Sequence, residues 1–158
     1  MVNIDSFDAL INATRSVCDP ELPGVTIHDL GILRNITRDG NTVTITITPT
    51  YSGCPAVEAI MQDVYSATKS YGQFIVKVEI AISPAWNTSM VTDSGRKALA
   101  QLGIVPPPKD TNTVSFLQCP RCQSKTISCI NAYSSTACKS LYRCLACHEP
   151  FELFKQLA

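Results

Sequence analysis

Thr42-Val43-Thr44-Ile45-Thr46-Ile47-Thr48, continued through Pro49 into Thr50-Tyr51-Ser52-Gly53-Cys54-Pro55, is the stretch that decides the fold. Its first seven residues alternate between threonine and a branched apolar residue, the two-residue period of a strand buried on one face. Beyond the loop the period changes. Val57, Ile60, Met61, Val64, Tyr65, Thr68 and Tyr71 fall on one face of an amphipathic helix. A strand passing through a tight polar loop into a helix belongs to a layered α/β fold. Proline is favoured at the first helical position, so the spacing predicts Pro55 at N1 and Cys54 at the N-cap. Unpaired backbone N–H groups and the positive end of the helix dipole favour a thiolate there, making Cys54 a candidate nucleophile or soft metal ligand. The plainer alternative is a small, inert, buried thiol.

The flanking sequence extends the pattern. Ile4, Phe7, Leu10, Ile11 and Val17 make a helical stripe that ends before Asp19-Pro20, because a residue preceding proline avoids helical geometry. After the loop Asp19 to Gly24 and the segment Val25 to Gly31, residues Ile32 to Thr37 and Thr42 to Thr48 flank Asp39-Gly40-Asn41 as a β-hairpin. Phe74, Val76, Val78, Ile80 and Ile82 alternate along a third strand. The predicted order is αββαβ in two layers, with a short helix from an N-cap at Thr92 to Leu102, closed by Gly103. Trp86 is read as a packing residue in preference to a binding-site wall. Pro106-Pro107-Pro108 and the following residues to Asn112 read as a stiff linker. The expected organisation is an α/β domain over 1–105, a linker over 106–112 and a second module over 113–158.

Composition supports the division. The 158 residues, 45% of them hydrophobic, are enough for one proper core and a small appended module. Residues 1–112 carry a net charge of −3 and residues 113–158 a net charge of +3. Cys18 and Cys54 stand alone, whereas Cys119, Cys122, Cys129, Cys138, Cys144 and Cys147 crowd the last part of the chain. No apolar run approaches the roughly 18 residues that span a bilayer. The N-terminus lacks the basic flank of a signal peptide, so a cytoplasmic location without membrane association is expected.

In a reducing compartment paired CxxC spacing reads as metal binding. Cys119-Pro120-Arg121-Cys122 and Cys144-Leu145-Ala146-Cys147 are two such turns. Zinc prefers four thiolates at tetrahedral corners, and each turn presents two. Val114, Phe116 and Leu117 before the first turn, Leu141 and Tyr142 before the second, and Phe151, Leu153 and Phe154 after it supply flanking strands. The prediction is a zinc ribbon, in which metal replaces the core that about 45 residues cannot build. An iron site at the same ligands or a dithiol redox pair are the alternatives, and a closed set of four cysteines favours structural zinc over both. Arg121, Lys125, Lys139 and Arg143 are expected to offset the negative charge of the tetrathiolate site. Cys129 and Cys138 are left open between buried thiols, a labile disulfide and spare soft ligands, and His148 reads as a surface residue near the metal.

Several classes are disfavoured by what the sequence lacks. There is no Gly-rich dinucleotide fingerprint and no P-loop. His28 and His148, the only histidines, have no Glu three residues upstream, so a carboxylate di-iron site is not expected. Cys54 with His28 and Asp19 or Asp29 could form a thiol-enzyme constellation. A nucleic-acid-binding ribbon is the other competing reading. The pI of 6.7 and the lack of a basic stripe with interleaved aromatics argue against a nucleic-acid partner.

Asp19-Pro20-Glu21-Leu22-Pro23, His28-Asp29-Leu30-Gly31-Ile32 and Thr50-Tyr51-Ser52-Gly53-Cys54-Pro55 resemble the metal–sulfur cluster assembly family, also called the iron–sulfur assembly domain. Ser83-Pro84-Ala85-Trp86, the run Gly95 to Pro107, the CPRC turn, Ser135 to Lys139 and Cys147 to Phe151 resemble one branch of it, the D component of the phenylacetyl-CoA ring-epoxidase system. The resemblance covers essentially the whole chain. It implies an accessory protein of phenylacetate catabolism that assists iron–sulfur or metal-centre maturation, does not itself perform the epoxidation, and has the oxygenase and reductase components as partners. The chemistry of the residues is compatible with a transient iron–sulfur cluster handled at Cys54, a soft ligand, with Asp19, Glu21 and Thr50 expected as nearby oxygen groups. An exposed edge of so small a sheet would allow a homodimer.

Overall fold

The computed structural model describes residues 4–109 and 117–155. Within them the chain forms two compact units, Met1–Trp86 and Asn87–Ala158. The first contains α1 (Ile4–Arg15), β1 (Leu33–Asp39), β2 (Thr42–Ile47), α2 (Ala56–Thr68) and β3 (Ile75–Ile80). This is the expected αββαβ order. β2 is the central strand, antiparallel to β1 and parallel to β3. The parallel pairing needs a crossover, and α2 supplies it, so the head of α2 stands at the C-terminal ends of β2 and β3.

Alternation along β2 does what the sequence requires. Val43, Ile45 and Ile47 are fully buried while Thr42, Thr44 and Thr46 are half-buried. Burying each branched side chain contributes about 1.5–3 kcal/mol, so Ile45→Ala would cost roughly 2–5 kcal/mol once the cavity is included. Against this sheet α2 buries Ala56, Ile60, Val64 and Thr68, a narrower face than the expected stripe. Buried Thr14 and Thr68 are satisfied by donating to the Leu10 and Val64 carbonyls one turn earlier. β1 and β2 meet at a two-residue turn, Gly40-Asn41, where Gly40 has φ +57°.

Three expectations shift. α1 ends at Arg15, so buried Val17 belongs to the following loop and not to the helix. Pro55 occupies the N-cap of α2, with helical dihedrals, and Cys54 precedes it by one position. The apolar face of the third strand is buried only at Phe74 and Val78, while Ile80 is 48% and Ile82 75% exposed. These two line an open hollow with Val57 and Glu58 at the head of α2.

The second unit holds a 3-10 turn (Thr88–Met90), α3 (Asp93–Gln101), β4 (Ile104–Val105), β5 (Ile127–Asn131), β6 (Lys139–Cys144) and β7 (Pro150–Phe154). Thr92 caps α3 by accepting from Gly95 N–H at 3.0 Å, and Gly103 closes it at φ +75°. The sheet order is β4-β7-β6-β5. Ile104 and Val105 pair with Glu152 and Leu153 of β7, so the compact units part between Trp86 and Asn87, ahead of the boundary expected at residue 105. Val114, Phe116 and the linker residues 110–112 lie outside the described residues. Among the described residues no helix is long and apolar enough to cross a membrane.

Candidate metal centre and the Cys54 groove

Cys119 and Cys122 sit on a turn before β5, Cys144 ends β6, and Cys147 lies in the turn leading to β7. The two turns bring all four sulfurs within 4.8 Å of one another. Cys119 Sγ is 3.6 Å from Cys147 Sγ, and Cys122 Sγ is 3.5 Å from Cys144 Sγ. Corners of a tetrahedron with zinc–sulfur bonds of about 2.3 Å lie about 3.8 Å apart, so the donor set fits such an ion with little adjustment. Cys119, Cys144 and Phe151 are the buried centre, with Val105, Ile127 and Tyr142 packed around it. The hydrophobic contribution is small, as expected of a metal-stapled module.

The electrostatics of the cluster call for a cation. The Cys147 backbone N–H, 3.4 Å from Cys144 Sγ, draws that thiol down to about 6 against the effect of burial. Cys147 receives the Glu149 backbone N–H, which favours its thiolate, yet burial and the thiols of Cys122, Cys119 and Cys144 push it up to about 12. Four like charges this close cannot coexist unaided, and a dication resolves the conflict. Arg121 bonds to Glu149 at 2.8 Å, and this contact with the sulfurs of Cys147 and Cys119 raises its guanidinium above the usual value. It stands beside the cluster, with Glu149 as its direct partner.

Lys139 does not stand beside the cluster. It begins β6 at the end away from Cys144, roughly 16 Å along an extended strand, and its buried ammonium pairs with Glu152 at 3.2 Å. Ser134 and Ser135 also donate to Glu152 Oε1. Burial pushes this carboxyl up, but the bonds from Ser134, Lys139 and Ser135 outweigh it and hold Glu152 below the usual carboxylate range. Ser134, Ser135 and Lys139 thus surround a half-buried acid on β7. Cys138 is buried against Thr136 Oγ1 at 3.0 Å, Cys129 is exposed and opposite Tyr142, and neither is in a disulfide. His148 is exposed at φ +63°, outside the four-sulfur cluster.

In the first unit, Gly53 at φ +78° turns the chain and Cys54 N–H closes the turn on Tyr51 O at 3.3 Å. Cys54 is half-buried at the edge of an open hollow of about 590 Å³, lined with Pro49, Pro55, Val57, Glu58, Ile80 and Ile82 among others. Glu58, Ile80 and Ile82 are the neighbours that sequence reasoning missed, although Glu58 follows Cys54 by four positions, one helical turn. Asp19, Glu21 and Thr50 do not line this hollow. Asp19 is buried, its Oδ1 accepting the Glu21 N–H at 2.8 Å, Glu21 is exposed, and Thr50 is buried in the strand-to-helix loop. His28 lines a hollow with Arg15 and Arg34, distinct from that of Cys54.

Residues 8–80 match the family model of the iron–sulfur cluster assembly protein, and residues 105–155 match that of the PaaD zinc beta ribbon domain. The chain is 43% identical over 140 residues, 87% of its length and 85% of the relative's, to an Escherichia coli K12 protein named for the D component of 1,2-phenylacetyl-CoA epoxidase. The chain belongs to the iron–sulfur cluster assembly protein family. It is also 35% identical to an Fe-S protein maturation auxiliary factor of Porphyromonas gingivalis, over 61% of this chain and 90% of that one. A crystal structure of a domain of unknown function, DUF59, from Bacillus anthracis superposes with a TM-score of 0.54 at 29% identity, over 61% of this chain and 92% of that one.

Within this family the chain combines the assembly fold with a ribbon carrying a four-cysteine cluster suited to metal binding. The ribbon model begins at Val105, inside β4, in keeping with the pairing of that strand to β7.

Proposed function

We propose that this protein is an accessory factor of the phenylacetyl-CoA ring-epoxidase system in phenylacetate catabolism, assisting maturation of an iron–sulfur or related metal centre in the oxygenase or reductase component. The half-buried Cys54 thiol carries this reading, because it borders an open apolar hollow within a domain of the assembly family. A soft sulfur in such a place can take a metal or cluster and release it to a partner, whereas a buried thiol cannot. Asp19, Glu21 and Thr50 do not line that hollow, so the carboxylate beside Cys54 is that of Glu58. Zinc at Cys119, Cys122, Cys144 and Cys147 is structural: four thiolates leave no open position for substrate. The role requires no catalysis by the chain itself, and the cytoplasm is its setting.

The test is Cys54→Ser, which keeps size and fold but removes the soft donor. Cells carrying it should make oxygenase and reductase components in normal amount but short of iron or cluster, and should fail to consume phenylacetate. Unchanged metal content and oxygenation would leave Cys54 an inert thiol. Metal and acid-labile sulfide analysis after anaerobic purification should give zinc near one per chain in both forms.

A further inference from the structure

The outer edge of β3 carries a self-complementary pattern. Ile75 N–H donates to Asn41 O at 2.8 Å and Ala81 N–H to Ile47 O at 2.9 Å, so odd-numbered residues turn their backbone groups toward β2. Even-numbered residues, Val76, Val78 and Ile80, therefore aim theirs at the outer side of the sheet, where no strand lies among the described residues. Exposed apolar side chains crowd this edge: Ile75 is 61%, Ile80 48% and Ile82 75% exposed.

We propose that β3 pairs antiparallel with β3 of a second copy about a two-fold axis at Val78. The axis can fall at an even-numbered residue in a hydrogen-bonded pair or at an odd-numbered one in a non-hydrogen-bonded pair, but an axis at Lys77 or Glu79 sets that charge opposite itself. Of Val76, Val78 and Ile80, only Val78 sets Lys77 of each copy opposite Glu79 of the other, making two opposite-charge cross-strand pairs. The same register sets Val76 opposite Ile80. A two-fold interface of this kind is self-complementary by construction. It also places Val76 of the second copy beside Ile80, a residue that lines the hollow at Cys54.

Tyr65 holds the edge in the single chain. Its hydroxyl accepts the Val78 N–H at 3.2 Å, and the side chain is 44% exposed. A carbonyl from the second strand replaces that hydroxyl, which returns to water. The pairing does not depend on the maturation role.

Sedimentation velocity on the full, metal-loaded chain, from micromolar to millimolar concentration at low salt, should show a reversible monomer–dimer equilibrium. Lys77→Glu and Glu79→Lys each set like charges opposite one another twice and should weaken the dimer on the order of tenfold. The double variant K77E/E79K restores opposite charges and should recover affinity to within about threefold. Tyr65→Phe removes the competing acceptor and should tighten the dimer. Circular dichroism establishes that each variant is folded. A chain that stays monomeric throughout, as it would if a different partner takes this edge, overturns the proposal. So does association that ignores the single reversals, or a double variant that does not recover.

Discussion

The indole N–H of Trp86 donates to the Leu30 carbonyl across 2.7 Å, joining residues 56 positions apart. Leu30 is fully buried and Trp86 4% exposed. The bond ties the segment after β3 to the loop Thr26–Gly31, whose own turns close through Leu30 N–H to Thr26 O and Gly31 N–H to His28 O. Trp86 is thus a packing residue with a polar anchor. Trp86→Phe keeps most of the apolar contact but leaves the Leu30 carbonyl without this donor, a loss of about 1–3 kcal/mol. Trp86→Ala adds a cavity and should cost about 3–5 kcal/mol. Urea unfolding followed by circular dichroism should rank wild type above Trp86→Phe above Trp86→Ala.

Trp86, the single tryptophan, is bonded to Leu30 within the first unit. Cys144→Ser removes one of four thiolates from a module whose folding is coupled to its metal, and structural zinc supplies on the order of 10 kcal/mol to such modules. The variant should lose its zinc and the hydrogen-exchange protection of β5 to β7, while the tryptophan fluorescence midpoint in urea stays at the wild-type value. Chelation of the wild type should do the same. A common collapse of both signals would mean that the two units share one cooperative core.

Glu152 gives the ribbon an acid limb. Its carboxyl is held below the ordinary 4.5, so it contributes stability that is fully present above that value and is lost as pH falls through the lower, folded-state value. Glu152→Gln removes the titrating group and strands the buried Lys139 ammonium, at a cost of about 3–5 kcal/mol at neutral pH. Stability should become flatter with pH in the range below 4.5. The paired replacement Lys139→Met with Glu152→Leu removes both charges and should recover most of the loss. Thermal unfolding of the zinc-loaded protein at neutral and acid pH separates the three forms.

The elements legible in the sequence were those with their own period: β2 from its Thr/Val/Ile alternation, α2 from its stripe, and α3 from Thr92 and Gly103 at its ends. The cysteine cluster was legible because CxxC spacing fixes a local turn. Ile104 and Val105 could not be read as a strand, since two residues carry no period and gain strand character only through β7. Lys139 looked like a counter-charge because it is near Cys144 in sequence, but an extended β6 carries it to the far end. The exposure of Ile80 and Ile82 was hidden for a similar reason. Alternation predicts a face, and how far α2 reaches along that face is a tertiary fact.

Gly53 links local geometry to the proposed role. At φ +78° a side chain is strained even though nothing lies within 4 Å of where its Cβ would be, so the cost of Gly53→Ala is conformational and not steric crowding. That cost should be about 1–2 kcal/mol, unless the loop relaxes and carries Cys54 away from the head of α2. Zinc content and the helix signal should be unchanged, because neither depends on this turn. If presentation of Cys54 at the hollow matters, cells with Gly53→Ala should show partner metal content between wild type and Cys54→Ser. Stabilising the fold with a compatible surface substitution should not restore it. A Gly53→Ala strain that matches wild type, alongside a deficient Cys54→Ser strain, would mean that the sulfur is needed but the shape of its loop is not.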